Sequence, residues 1–582
     1  MSDIPIPNLP SNVRVPLFYA SVDPSKANTL QQDHAALIIG QITASGTLTP
    51  PAPISATTNA TTAAGNPTLH FAAGPSASIQ PGDVITDSTA PTAIAAGTTV
   101  LSIDFTAHTV TMSANAAGPG VGGTDTIVFT RPFVAKPYLA SSVLSAAGLA
   151  GPGSQIARMV ASFKRQNLQT TVYILPMQDD GAAVKATGFV DVSGTPTAAG
   201  TVALYIAGKL VPTLVTTAMT AAQIATALAA AITADVTLPV TAAAVSTRVT
   251  LTAKNGGAVG NSIDVRKNYF GAAGGEADVA GVAVAITPMS GGATNPSTAL
   301  TTALAALAAK AYDYVIHPYT DAGSLNAIRD WLGDVSGQWS PTKQFYGGAF
   351  TAALGTSATL QTLGLARNDP HHSIGGIYDC PTDPMALAGA LGGFAALTLS
   401  SDPSIPARDV ALIGILPPPE SSQFQFADNN TLLWSGISTF KTVGGQLFVQ
   451  RLITTYQLNT FGSPDNSMLS VEKMFTLAEG LRLQRGMVEG KYNRVKLASD
   501  GTRLPPEARV VTPLTVRADL IGFYDAELVK KRAWFQDTDA FAAGLVVQRN
   551  SSDPDRLDVL WDSLVIDQLN IFALLVQFRQ VA

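Results

Sequence analysis

Apolar positions in the segment SQIARMVASFKRQ, residues 154–166, recur with a helical period that puts Ile156, Val160 and Phe163 on one face, and a short apolar run, TTVYILPM, follows. That succession predicts an αβ unit within 131–187. From residue 297 the same alternation repeats. Helical TALTTALAALAAKA leads to the strand YDYVIHPY, SLNAIRDWLGDV to QFYGGAF, ATLQTLGLA to HHSIGGIYD, and then the apolar helix PMALAGALGGFAAL. Alternation of this kind predicts an α/β layer over 293–428 built on a largely parallel sheet. Residues 34–44, HAALIIGQITA, read as a further buried strand of that core, in a segment spanning 26–45.

Two stretches interrupt the pattern. Residues 46–130 turn abruptly to Thr, Ala, Pro and Gly, with short β patterns such as TVLSID and TDTIVFT between Gly/Pro turns, which predicts a β-sandwich-like insertion. Residues 188–292 carry the strand TVALYIAG, the helix TAAQIATALAAAITA and the returns STRVTLTAKN and GNSIDVRKNY, a small α+β insertion. The expected fold class is therefore a mixed α/β and α+β multidomain chain with extended β arms at both ends.

Each arm has its own signature. In residues 1–25, Pro5, Pro7, Pro10, Pro16 and Pro24 forbid a helix, while Val13, Val15, Leu17 and Tyr19 alternate with period two. Pro16 restricts such a strand to a sheet edge. In residues 567–582, the run LNIFALLVQF places Phe572, Leu574, Val576 and Phe578 on one side and Leu569, Ile571, Ala573 and Leu575 on the other, the pattern of a strand buried on both faces. Each arm could join its own core sheet or complete the sheet of a neighbouring copy.

Composition narrows the function classes. Only 13% of the 582 residues are charged while 46% are hydrophobic, so the surface is weakly solvated by charge and suits broad coverage by partners. With 35 basic and 41 acidic side chains, the net charge of −6 supplies no positive field for nucleic acid or an anionic bilayer. The insertion 46–130 holds Asp83, Asp87, Asp104 and Asp125 and no Lys or Arg, whereas residues 472–532 hold 12 Lys/Arg against 8 Asp/Glu. Within that basic region, Lys530, Lys531 and Arg532 are candidates for contact with an acidic partner. Cys380 is alone, so no intrachain disulfide forms and a reducing compartment is expected. Asp3 and the early prolines do not suit a signal peptide, and the apolar run Met385 to Leu399 falls short of the ~20 residues that span a bilayer, so membrane insertion is not expected.

Catalytic motifs fail in turn. Both Gly-Lys pairs, at Gly208 and Gly490, lack a following Ser or Thr, which excludes a P-loop. The Gly118, Gly120, Gly123 match to GxGxxG encloses Pro119 inside a β-rich block, where a turn is the better reading. No GxSxG or HExxH occurs. The cluster Asp369, His371 and His372 has its two imidazoles on opposite faces of a strand, and Cys380 has no CxxC partner. Neither recommends a metal site or a nucleophile, so no catalytic, cofactor or metal residue is expected.

The segment Asn430-Thr-Leu-Leu-Trp-Ser-Gly-Ile-Ser-Thr439, then Gly444-Gly445, Arg451-Leu-Ile-Thr-Thr-Tyr-Gln457, Asp465 and Ser467, resembles the C-terminal signature of contractile phage tail sheath proteins of the Mu-like group. The opening NLPSNVRVPLFYASVD and residues 149–159 are similar to matching regions of that group. This resemblance implies a C-terminal sheath domain over 429–566 and a structural subunit without cofactor. It also implies helical polymerisation around a tail tube, arms exchanged between neighbours, and contraction that drives the tube through the host envelope. The implied partners are other copies of the chain, the tube protein, and baseplate and tail terminator proteins. The implied location is the virion tail, assembled in the host cytoplasm. The sheath of a phage-derived bacteriocin particle is an alternative within the same class; a surface adhesin or carbohydrate-binding protein is an alternative from another, suggested by the β-rich insertions.

Overall fold

The computed structural model describes residues 34–578 apart from 308, 504 and 506–508. Two compact units divide them: one spans 36–398 and 407–471, the other takes in 34–35, 399–406 and the described residues from 472 onward.

The larger unit is organised by an eight-stranded sheet. Its strands are β1 (Ala35–Gln41), β2 (Tyr138–Leu139), β3 (Thr171–Met177), β4 (Tyr314–Ile316), β5 (Gly348–Leu354), β6 (His372–Ile377), β7 (Ile437–Val443) and β8 (Gln446–Arg451), in the spatial order β8-β7-β6-β5-β4-β1-β3-β2. The run from β1 through β4, β5 and β6 to β7 is parallel, with Ala36 opposite Tyr314, Tyr314 opposite Gly348, Ala349 opposite His372 and Ile374 opposite Ile437. Antiparallel strands close both edges. β1, β4 and β6 are buried along their whole length, which is why AALIIGQ reads as a continuous apolar run and not as an alternation.

Helix Gln155–Gln166 starts at an N-cap Ser154 and buries Ile156, Met159, Val160 and Phe163. Against it lies helix Pro384–Ser401. A Cβ added at Gly389 would sit 2.3 Å from the Met159 carbonyl oxygen and one at Gly393 2.8 Å from that of Phe163, so the missing side chains are what permit this approach. On its other side, a Cβ at Gly392 would meet Ile316 Cγ1 of β4 at 2.2 Å. At the helix start, buried Asp383 accepts a hydrogen bond from Arg158 Nε at 2.6 Å and another from the Ala386 amide at 2.7 Å. The helix has 18 residues, more than the 15 expected, and is long and apolar enough to cross a membrane by length and composition; but 78% of it is buried inside the protein. Its apolar surface is spent on the core.

The 46–130 stretch forms two three-stranded antiparallel sheets: Ile54–Thr57, Thr126–Thr130 and Val84–Asp87 make one, Thr68–His70, Thr109–Met112 and Val100–Asp104 the other. Leu69, Phe71, Ile85, Val110, Ile127 and Phe129 are among the buried side chains of their common core. All four carboxylates fasten turns, Asp83 by accepting from the Gln80 amide at 2.8 Å. Asp87 accepts from the amides of Thr89 and Ala90, Asp104 from Thr106 and Ala107, and Asp125 from Gly122. Asp83 pairs with Arg131 at 2.9 Å. The glycines at 118–123 lie in a loop that leads into a strand, so the dinucleotide motif has no helix to open.

Residues 187–290 fold around helix Ala221–Ala234, which begins in a capping box of Thr220 and Gln223. A four-stranded sheet and a three-stranded sheet accompany it. Strands Thr187–Gly194 and Val282–Ser290, paired with Val190 opposite Ile286, were not foreseen, because Gly, Ser and Ala weaken their apolar alternation.

The smaller unit contains helices Val471–Tyr492, Pro513–Phe523 and Thr538–Gly544. Its core gathers Val516, Leu520, Tyr524, Leu528, Trp534, Phe535, Phe541 and Leu545.

Candidate subunit-contact surfaces

The C-terminal run is anchored before it leaves the fold. Tyr524 stacks on Phe541 with ring centroids 3.8 Å apart, and Trp561 meets both rings at 5.8 and 4.6 Å. Tyr524 Oη donates to the Gln536 carbonyl at 2.7 Å, and burial pushes this phenol's pKa up. Phe535 and Gln536 then pair antiparallel with Val565 and Leu564, and the Ile566 amide donates to the Trp534 carbonyl. Asp567 pairs with Lys473 at 2.5 Å, and Gln568 Nε2 donates to the Ser404 carbonyl.

Beyond Gln568 the expected strand is not there. Residues 566–578 have neither helix nor strand, and Ile571, Phe572, Leu574, Val576 and Phe578 are 70–86% exposed where burial on two faces was expected. The reason is physical: a strand needs a partner for its amides and carbonyls, and none of the described strands takes that place. Burying Leu569, Leu575 and those five would release on the order of 10 kcal/mol at about 1.5–3 kcal/mol each. Ordering ten residues would consume a similar amount at roughly 1–2 kcal/mol per residue. Any single docking of this tail is thus weak. Val13, Val15, Leu17 and Tyr19 lie outside the described residues.

Lys530, Lys531 and Arg532 close a π-helical turn, Tyr524–Lys530. Lys530 pairs with Asp525 at 2.5 Å, while Lys531 and Arg532 both pair with Glu527, at 3.0 and 2.5 Å. Hydrogen bonding from Lys530 lowers the Asp525 pKa, and from Arg532 that of Glu527. Two carboxylates therefore offset three cations, and only a small positive excess is presented outward.

The other groups singled out in the sequence, the histidines at 371 and 372, Asp369 and Cys380, are buried. His372 Nε2 lies 3.0 Å from His317 Nε2, and burial pushes both imidazoles well below their ordinary pKa. His371 turns the other way, with Nε2 2.8 Å from Asp334 and its ring 4.1 Å from that of Trp339. Asp369 is held by Arg367 at 2.6 Å. Burial raises the Cys380 thiol to about 12.

Helix Ser357–Leu365 falls where ATLQTLGLA predicts one, whereas helix Phe426–Trp434 is not among the sequence expectations. Ser357–Leu365 and Phe426–Trp434 bury Leu360 and Leu432 in a common cluster with Ile374 and Ile437, and turn their outer faces to solvent. Phe426 is 84% and Trp434 79% exposed. The signal was available as a charge-free i, i+4, i+8 stripe, Phe426, Asn430 and Trp434.

Comparison with known proteins places this geometry. Residues 291–455 match the family described as "Phage tail sheath protein central domain". Over 439 residues, covering 75% of this chain and 88% of the other, the sequence is 36% identical to the Mu-like prophage FluMu tail sheath protein of Haemophilus influenzae. A crystal structure of the sheath tail protein from Desulfitobacterium hafniense is 10% identical, covers 71% of this chain and 85% of its own, and aligns with a TM-score of 0.37, too low to argue from.

Proposed function

The chain belongs to the phage tail sheath family, and from that premise we propose that it polymerises helically around a tail tube and contracts to drive the tube through the host envelope. The family is one of structural proteins, not enzymes; its members self-associate and belong to the virion tail. The finer reading concerns how neighbours are joined. The observation that carries it is the C-terminal tail, in which Gln568 is anchored while seven large apolar side chains between Leu569 and Phe578 stand in water.

A neighbouring copy supplies the missing cover. Among the described residues the hairpin Val546–Arg549 with Leu557–Leu560 has two strands, and Val546, Val559 and Leu560 are exposed, so either edge can accept an added strand. Because one docking is weak, the lattice is held by many repeated contacts. Subunits then rotate as rigid bodies while the tails keep them joined. The tube, baseplate and terminator are the further partners in this reading, assembly takes place in the host cytoplasm, and Lys530, Lys531 and Arg532 make a minor tube contact. The N-terminal residues Val13, Val15, Leu17 and Tyr19 act as the second arm, and 46–130 as an outward decoration.

Deleting residues 571–582, which leaves Gln568 and Asn570 in place, tests this. The truncated chain is expected to unfold at the temperature of the full-length protein and to form no tubes under negative-stain electron microscopy. Loss of folding would mean that the tail completes its own subunit, and persistent tubes would remove it from assembly.

A further inference from the structure

We infer that the outer faces of helices Ser357–Leu365 and Phe426–Trp434 form a second contact surface for another copy of this chain, separate from the terminal arms. Solvent-facing helices normally carry Lys, Arg, Asp or Glu. Here the exposed positions are Ala358, Thr359, Thr362 and Leu365 on one helix and Phe426, Ala427, Asn430 and Trp434 on the other. None is charged. Phe426 and Trp434 are separated by eight residues, about 12 Å along the helix at 1.5 Å per residue, with only small or neutral side chains between them on that face.

Packing does not explain these rings. Leu360 and Leu432 already anchor the two helices on the sheet. Phe426 and Trp434 add nothing to that core, and together they expose roughly 300 Å² of ring surface to water. Aromatic side chains in a neutral surround are what the centre of a protein interface presents. The area is well under the ~800 Å² that each partner contributes to a stable pair, so the patch cannot hold a dimer by itself. It can hold a contact repeated at every subunit of an array, and this chain's family self-associates. A helical array joins unlike surfaces, so the patch meets a different part of the neighbour. The inference rests on the self-assembly reading but not on the arms.

The test uses full-length protein. Asn430→Cys carries a polarity-sensitive fluorophore, which native Cys380, 1% exposed, does not take up. In tubes the label should shift to the blue and lose most of its quenching by iodide. A Phe426→Ser, Trp434→Ser double variant should keep the wild-type unfolding temperature and lower tube yield by about tenfold or more, as loss of a contact centre does. A label as exposed in tubes as in dilute protein, or wild-type tube yield from the double variant, overturns the patch while leaving the arms untouched. If the wild type forms no tubes, the tube-assembly reading fails alone; the patch is then judged by the label in concentrated protein, where absence of any shift up to the solubility limit overturns it.

Discussion

Helix Pro384–Ser401 and the tail Leu569–Phe578 are both apolar runs, yet the first lies within the fold and the second stands in water. Their compositions differ in one decisive respect. Gly389, Gly392 and Gly393 let the helix come within backbone contact of Gln155–Gln166 and side-chain contact of β4, so its Leu, Met and Phe side chains find cover inside the chain. The tail has no glycine and an excess of bulky side chains, and its apolar side chains stay exposed among the described residues. An apolar run predicts burial, but whether the cover comes from the same molecule depends on the surfaces that happen to face it.

Enlarging a side chain at the helix contact should have the greatest effect. Gly389→Leu forces a Cβ to 2.3 Å from a carbonyl oxygen and should destabilise by about 3 kcal/mol or more, seen as a collapse of soluble yield or of the thermal midpoint. Wild-type stability in that variant would break the contrast, because the helix would then have room to spare. The opposite result is expected for the tail. Phe572→Asp with Leu574→Asp should leave unfolding within about 0.5 kcal/mol of wild type and abolish assembly, measured by calorimetry and electron microscopy.

A smaller effect belongs to the β-rich insertion. Burial, with the nearby Asp125 carboxylate adding to it, raises the Asp87 pKa. A carboxyl whose pKa is raised in the fold contributes its stability below the ordinary carboxylate range and loses it as the pH rises through the folded value. Asp87→Asn, which keeps the Oδ1 acceptor for Thr89 and Ala90, should therefore stabilise the insertion at neutral pH, with the gain vanishing toward pH 4. A gain that grew on acidification would contradict the raised value. Charge reversal at Lys530 and Lys531 should matter least. These solvent-exposed pairs contribute little, and any loss of assembly should be confined to low salt.

Periodicity was enough to identify the alternating strands and helices of the core. Each carries one dominant signal, such as the all-buried HSIGGI or the spacing of Ile156, Val160 and Phe163. The same reasoning missed Thr187–Gly194 and Val282–Ser290, whose small residues give only a faint alternation, and for the C-terminal run it left open whether cover comes from its own sheet or a neighbour's. Lys530, Lys531 and Arg532 looked like a cationic cluster because Asp525 and Glu527 precede them by a turn, and only the folded π-helix brings the opposite charges together. The local pattern of the chain thus determined which segments become helix or strand and which side chains avoid water. Which surfaces meet was settled in three dimensions, because a contact needs complementary space on both sides: the glycines of 384–401 find it, while the side chains of Phe426, Trp434, Phe572 and Phe578 stay exposed among the described residues.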